Sequence, residues 1–188
     1  MKGNLKETIE LLLPINNLPY MSSEELIGHI ALNIYKNEFI EIRDQLDFIP
    51  EVLKNIILLI DFDTELNMNG IIGFLENSSG LYLNETIDVL RKTSCFRDMN
   101  IMVTINNMLL ENAITIEELR IHVNSQVLYQ ISNSTEKHGE KFTDVLMEIE
   151  NKAGELYLYR NEENIFDNLI YYVETNKGAL LEEIIKMV

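Results

Sequence analysis

The chain has 188 residues, of which 46% are hydrophobic, and its 31 acidic and 15 basic residues give a net charge of −16. This length allows one domain with a substantial core, and the charge disfavours nucleic acid and anionic membranes while favouring basic partners. The lone Cys95 excludes a disulfide framework and a thiolate metal cluster. No apolar run approaches the roughly 18 residues of a membrane span and no signal-peptide core is present, which predicts a cytoplasmic protein.

The first third of the chain predicts three helices, within a single domain expected to span residues 1–188. Residues 1–20 are expected to supply a loosely packed N-terminal helix. Ser22, followed by two glutamates, is an N-cap that predicts a second helix to about Phe48. Residues 51–68 are apolar almost all the way round, which predicts a central core helix. Its apolar positions are Val52, Leu53, Ile56, Ile57, Leu58, Leu59, Ile60, Phe62 and Leu66.

The remainder of the chain also follows helical patterns. An Asn- and Gly-rich stretch at 67–80 predicts a shaped turn region, because these residues tolerate positive φ and close backbone approach. Further helices are predicted at 84–94, 97–110, 140–159, 162–174 and 179–187, and one begins at Thr115 with Glu118 completing a capping box. The polar stretch 132–139 is a predicted loop. The sequence therefore predicts an all-α fold of about eight or nine helices.

No arrangement of residues predicts a catalytic, cofactor or metal site. Asp61 and Glu65 lie about 40° apart on a helix, whereas Asp63 is nearly opposite, so a shared metal would see two carboxylates at most. We favour the alternative that one of these acids accepts hydrogen bonds from the following Asn/Gly turn. The three histidines, His29, His122 and His138, are scattered without metal-ligand spacing. His29 is expected to be a satisfied core or boundary histidine.

The placement of acidic residues is more informative than their number. One group recurs every three residues along the predicted second helix, and another repeats at i, i+4 and i+8, about 6 Å apart along a helix axis. Like charges at this spacing cost roughly 0.2–0.5 kcal/mol per pair, and only Lys152 is placed to offset the second group. Broken local rules without compensation indicate function, although a merely solvated face is the alternative. The candidate contact residues are Glu38, Glu41, Asp44, Asp47, Glu140, Asp144, Glu148, Glu155, Glu162 and Glu163.

The sequence ELNMNGIIGFLENSSG at 65–80, within a signature region at 51–95, resembles a bacterial helical domain family typified by a Neisseria DNA-mimic protein. The family pattern is approximately E-V-N-N-G-G-F-x-Q-F-F-x-N-S-x-G. Asn69 stands where that pattern has glycine, Ile71 where it has phenylalanine, and Gly73 where it has glutamine. The matching positions are Glu65, Asn67, Gly70, Phe74, Asn77, Ser78 and Gly80.

The resemblance implies an all-helical fold and, for the typifying member, a dimer whose acidic surface occupies the DNA-binding face of a transcription factor. The motif itself is interpreted as a fold signature, in which a glutamate and asparagines fix a glycine turn above a buried Phe74. It does not by itself transmit the DNA-mimic function, which would reside in surface carboxylates.

The leading hypothesis is therefore a non-enzymatic acidic protein that binds a basic protein, such as a DNA-binding regulator, and that forms a homodimer if the resemblance extends so far. Three alternatives remain. One is an immunity-type inhibitor of a basic toxin, and another is a scaffold without a specific ligand. The third is an enzyme with a carboxylate-lined cleft near Asp61 and Glu65.

Overall fold

The computed structural model describes residues 5–124, 138–160 and 164–187, and within them it contains nine α-helices, five 3-10 turns and no strand. The predicted all-α fold class is thereby confirmed. Part of the predicted loop at 132–139 lies outside the described residues, as do Glu162 and Glu163. The α-helices are α1 Leu5–Leu12, α2 Ser23–Asn33, α3 Ile40–Asp44, α4 Glu51–Glu76, α5 Leu83–Lys92, α6 Phe96–Glu111, α7 Ile116–Asn124, α8 Glu140–Ala153 and α9 Ile165–Met187.

The chain divides into two compact units, Met1–Ile60 with Ile165–Val188 and Asp61–Asn164. In the first unit α2 packs against α9, and α1 packs against α3. The predicted cap of α2 is confirmed as a full capping box, because the Ser22 side chain accepts from the Glu25 backbone and Glu25 accepts from the Ser22 backbone.

The predicted helix from Ser22 to about Phe48 is wrong in its second half. Helix α2 ends at Asn33, whose side chain donates to the His29 carbonyl at 2.7 Å, and Lys36 is extended. Asparagine side chains compete in this way with helical backbone bonds. Two 3-10 turns, Asn37–Phe39 and Leu46–Phe48, flank the short α3. The four acidic residues between 38 and 47 therefore do not lie on one helix.

The central helix α4 begins where the sequence predicts, and all nine of its predicted apolar positions are buried. Its regular geometry breaks at Gly70, which has φ +67° and ψ −172°, and helical geometry resumes as far as Glu76. The predicted turn region, residues 67–80, is thus confirmed at Gly70 and is wrong for residues 67–69 and 71–76, which are helical. A 3-10 turn, Ser78–Tyr82, follows.

In the second unit α6 packs against both α5 and α8, and α7 packs against the turn Ser78–Tyr82. The predicted capping box of α7 is confirmed, with Glu118 donating from its backbone to the Thr115 hydroxyl at 3.1 Å and accepting from the Thr115 backbone at 3.0 Å. The predicted helix at 140–159 ends earlier, at Ala153, and a 3-10 turn Tyr157–Tyr159 follows.

The last helix, in the first unit, differs from its prediction because Lys177 and Gly178 do not interrupt it. Helix α9 runs from Ile165 to Met187 without a break. Buried side chains on both sides of the glycine, Val173 and Leu180, continue one apolar face through it. Tertiary burial therefore outweighs the local cost of one glycine, about 1 kcal/mol.

Candidate functional site

The signature turn, defined as residues 65–80, is held by one carboxylate. The Glu65 Oε2 atom accepts from the Asn69 side chain at 3.0 Å and from the Asn77 side chain at 2.8 Å. These two amides lie on opposite sides of the break at Gly70, so Glu65 ties the two halves of the turn together. The expectation that an acid accepts hydrogen bonds from this stretch is confirmed.

Two glycines of the signature turn are required by geometry. Gly70 adopts a φ of +67° with an extended ψ, a conformation available essentially only to glycine. Gly80 packs directly on backbone, and a Cβ there would lie 2.4 Å from the carbonyl oxygen of Leu75. Ser79 donates to the Phe74 carbonyl at 3.0 Å, while the Phe74 ring is buried against Phe62. These contacts give the motif a structural role.

Two of the departures from the family pattern are sterically coupled. A Cβ at Gly73 would lie 2.1 Å from the Cβ of Asn69, so a side chain at one position excludes a side chain at the other. The family pattern has glycine at position 69 and glutamine at position 73. This chain has the larger residue, Asn69, at the former position and Gly73 at the latter. In this chain the Asn69 side chain fits because Gly73 has none.

The other two carboxylates near the turn are also engaged. Asp63 accepts a hydrogen bond from the Asn67 side chain at 3.0 Å and another from the Tyr157 hydroxyl. Burial, and then the hydrogen bond to Asp63, raises the pKa of Tyr157 well above its ordinary value. Asp61 is buried. Among the described residues, no group of three or more His, Cys, Asp or Glu side chains has an arrangement that could hold a metal ion.

Tertiary structure brings together two histidines that sequence spacing leaves unrelated. The Nδ1 atoms of His122 and His138 lie 3.0 Å apart, and the Nε2 atom of His138 donates to Glu76 at 2.7 Å. The Phe142 ring packs against both imidazoles. By contrast, the Nε2 atom of His29 donates to the Leu12 carbonyl at 2.9 Å, which confirms the prediction of a satisfied boundary histidine.

The acidic ladder, defined as Glu140, Asp144 and Glu148 on α8, is fully displayed on the surface. All three residues are exposed, and none forms an ion pair with another described residue. The expectation that Lys152 offsets the ladder is wrong. Its ammonium group donates instead to both carboxylate oxygens of Glu155, each at 2.9 Å, because Glu155 lies within reach beyond the end of the helix.

The other acidic candidates are placed differently. Glu38 is exposed in a 3-10 turn, Glu41 is partly buried in α3, and Asp44 is the last residue of that helix. Asp47 is exposed, and the Lys54 ammonium donates to its carboxylate at 2.6 Å. These residues form no ladder comparable with that of α8, because three separate short elements carry them.

These features define an acidic, all-α protein with a carboxylate-fixed glycine turn and an exposed carboxylate ladder. The family model described as "DMP19-like protein" matches residues 47–176, which is more than half of the chain. The chain belongs to the DMP19-like protein family. Comparison with curated proteins and with solved structures gives no match. Of the helices in the described residues, none combines the length and apolar character needed to cross a membrane.

Proposed function

We propose that this protein is a cytoplasmic, non-enzymatic binding protein whose acidic surface occupies the DNA-binding face of a basic partner, such as a transcription factor. The observation that carries the proposal is the acidic ladder of α8, whose carboxylates are exposed and not neutralised by a described side chain. Family membership supports it, because the resemblance implies such a surface for the typifying member. A homodimer is proposed on the same resemblance.

The ladder has a suitable geometry for this role. Its carboxylates repeat about every 6 Å along the axis of one rigid helix, so lysine and arginine side chains can approach several of them together. A basic protein that contacts DNA uses such side chains to neutralise phosphates. The bound ladder would therefore compete with DNA, and salt would weaken the complex because exposed charges are screened beyond about 8–10 Å.

The carboxylates near the signature turn support a structural role over an enzymatic one. Glu65 and Asp63 are each committed to two hydrogen bonds from neighbouring side chains. A general acid or base needs a reactive oxygen directed at a substrate. The proposed binding surface therefore lies on α8 and not at this turn.

The test is affinity capture from a nuclease-treated lysate of the source organism, with three proteins as bait. The wild type is compared with a ladder variant, Glu140→Gln/Asp144→Asn/Glu148→Gln, and with a control variant of the same net charge, Glu7→Gln/Glu111→Gln/Glu182→Gln. All three control residues are exposed and lie outside α8. We expect the wild type and the control to retain one basic DNA-binding protein that its own DNA displaces.

The ladder variant is expected to lose that protein, and the wild-type complex is expected to dissociate as the salt concentration rises. The identity of the retained protein separates a transcription factor from a basic toxin, the partner of an immunity-type inhibitor. Retention that is indifferent to salt, or equal for all three baits, would contradict the proposal.

A further inference from the structure

An open groove in the first unit lies between one face of α2 and the segment that precedes it. Its volume is about 730 Å³. The α2 wall is formed by residues at i, i+3, i+4 and i+7, which share one helix face. The whole lining consists of Pro14, Asn17, Tyr20, Met21, Glu25, Gly28, His29 and Leu32.

The apolar part of this groove is unusually accessible. Tyr20 is 88% exposed and Leu32 is 81% exposed, although the neighbouring residues Leu26 and Ile30 are fully buried on the opposite side of α2. Helix α2 therefore has an apolar side chain on both of its faces, and the described residues cover only one. These are the two largest exposed fractions among the exposed large hydrophobic side chains of the described residues. Apolar side chains at a concave surface suit ligand binding.

The residue in the middle of the α2 wall is a glycine, Gly28. Glycine inside a helix costs about 1 kcal/mol relative to alanine. A Cβ at Gly28 would meet nothing within 4 Å, so no packing contact requires glycine at this position. The missing side chain leaves space in the middle of the α2 wall.

The polar groups on the α2 wall are hydrogen-bond acceptors. The backbone N–H of Ser22, and then its hydroxyl, lower the pKa of the Glu25 carboxyl, and the Lys177 ammonium also lowers it, so this carboxylate already has one cationic neighbour within the first unit. Because the Nε2 atom of His29 donates to Leu12, the neutral ring presents its Nδ1 atom as an acceptor. Glu10, in an adjoining groove that shares Pro14 and Asn17, adds another carboxylate. Such a wall favours a cationic ligand that donates hydrogen bonds.

The opposite wall is preformed. The Lys177 ammonium of α9 donates to the backbone carbonyls of Pro19 and Met21, which fixes the segment that carries Tyr20 and Met21 against the first unit. Holding this backbone before a ligand binds reduces the conformational entropy that binding would cost. Tyr20 can in addition place its ring against a cation.

We propose that this groove docks a short basic and apolar segment of a partner protein. An arginine or lysine side chain of that segment faces Glu25 and His29, and an apolar side chain packs on Leu32 and Tyr20. The groove is in the first unit and does not include the acidic ladder of α8, so this inference does not depend on the proposed function. It adds a second contact surface for a basic protein.

The test uses a random 12-residue peptide library displayed on phage and selected in parallel on the wild type and on matched variants. The groove variants are Leu32→Ser, Glu25→Gln and Gly28→Gln. The glutamine at 25 keeps the capping box while removing the charge. The controls are Leu110→Ser and Glu111→Gln, both at exposed positions, and Gly178→Gln, a helical glycine with equally open surroundings.

We expect peptides that combine arginine or lysine with an apolar residue to be enriched at least about tenfold on the wild type and controls relative to Leu32→Ser and Gly28→Gln. Glu25→Gln is expected to lower the frequency of arginine and lysine in the selected peptides. Both Gly→Gln variants should have a raised melting temperature, because glutamine is the better helix former, and only Gly28→Gln should lose peptide binding. A Gly28→Gln variant that is more stable but no longer binds peptide would have a blocked groove and an intact fold.

Three results would overturn the inference. One is equal enrichment of the same basic peptides on the groove variants, which would indicate attraction to the net charge alone. Another is enrichment of peptides without basic residues, which would assign a different occupant. The third is the absence of any enrichment on the wild type. The capture experiment tests the acidic ladder, and the peptide selection tests the groove. Either proposal can therefore be contradicted without changing the result expected for the other.

Discussion

The signature turn and the outer face of α8 both carry carboxylates, but the carboxylates differ in their partners. Glu65 accepts two side-chain hydrogen bonds, and Asp63 accepts one from Asn67 and one from Tyr157. Glu140, Asp144 and Glu148 form no ion pair with a described residue. Both regions belong to the second unit. An acid with internal partners supports the fold, whereas an acid without them is available to another molecule.

Glycines in the two units show the same contrast. Gly70 and Gly80 are required by a positive φ and by a backbone contact, respectively. Gly28 and Gly178 have open space where a Cβ would lie. Replacement should therefore be costly in the signature turn and tolerated in α2 and α9. The following predictions test whether the division between partnered and unpartnered residues holds.

The largest effect is expected for Gly80→Ala. Its Cβ would lie 2.4 Å from the Leu75 carbonyl oxygen, so the backbone must move. We expect the free energy of unfolding in urea to fall by about 3 kcal/mol. The control, Gly178→Ala, should instead raise it by about 0.5–1 kcal/mol through helix propensity. Similar effects for both variants would show that the turn is not as closely packed as the structure indicates.

A double-mutant cycle tests the coupled positions of the turn. Gly73→Gln alone places its Cβ against Asn69 and is expected to lower the free energy of unfolding by about 1–3 kcal/mol. Adding Asn69→Gly should recover part of that loss, with an interaction energy of about 0.5–3 kcal/mol between the two sites. Simple additivity of the two changes, measured by urea denaturation, would argue against steric coupling.

Glu65→Gln compared with Glu148→Gln tests the difference between the two kinds of carboxylate directly. The first removes the charge that holds Asn69 and Asn77, and should lower the free energy of unfolding by about 1–3 kcal/mol. The second should change it by less than about 0.5 kcal/mol, because Glu148 has no described partner to lose. Both values come from denaturant unfolding at neutral pH, and a larger cost at 148 would assign a structural role to the ladder.

The smallest effect concerns alkaline pH. The pKa of Tyr157 in the folded protein lies above its ordinary value of 10.0, because of burial and then of the bond to Asp63. The folded state therefore holds this proton more tightly, so the stability it contributes is complete below about pH 10 and is lost as the pH rises further. In urea unfolding above pH 10, we expect the free energy of unfolding of Tyr157→Phe to decline less steeply with pH than that of the wild type. Tyr159→Phe, at an exposed position, should follow the wild type.

Sequence by itself determined the fold class, most of the helices, the buried positions of α4, the capping boxes of α2 and α7, and the engagement of a turn acid. These features depend on neighbouring residues, because helical periodicity and caps act within one or two turns. Only the tertiary structure decided that α2 ends at Asn33 and that α9 continues through Gly178. Burial against other elements determines such boundaries, and local propensity does not record it.

Tertiary structure alone also decided which side chains meet. His122 and His138 lie 16 positions apart in the sequence, yet their rings share a hydrogen bond. Lys152 pairs with Glu155 and not with the acidic ladder. The steric conflict between positions 69 and 73 arises from the break at Gly70, which moves the Asn69 side chain over the following turn. Distances between side chains depend on how the backbone is bent and packed, and for that physical reason residue spacing alone could not give them.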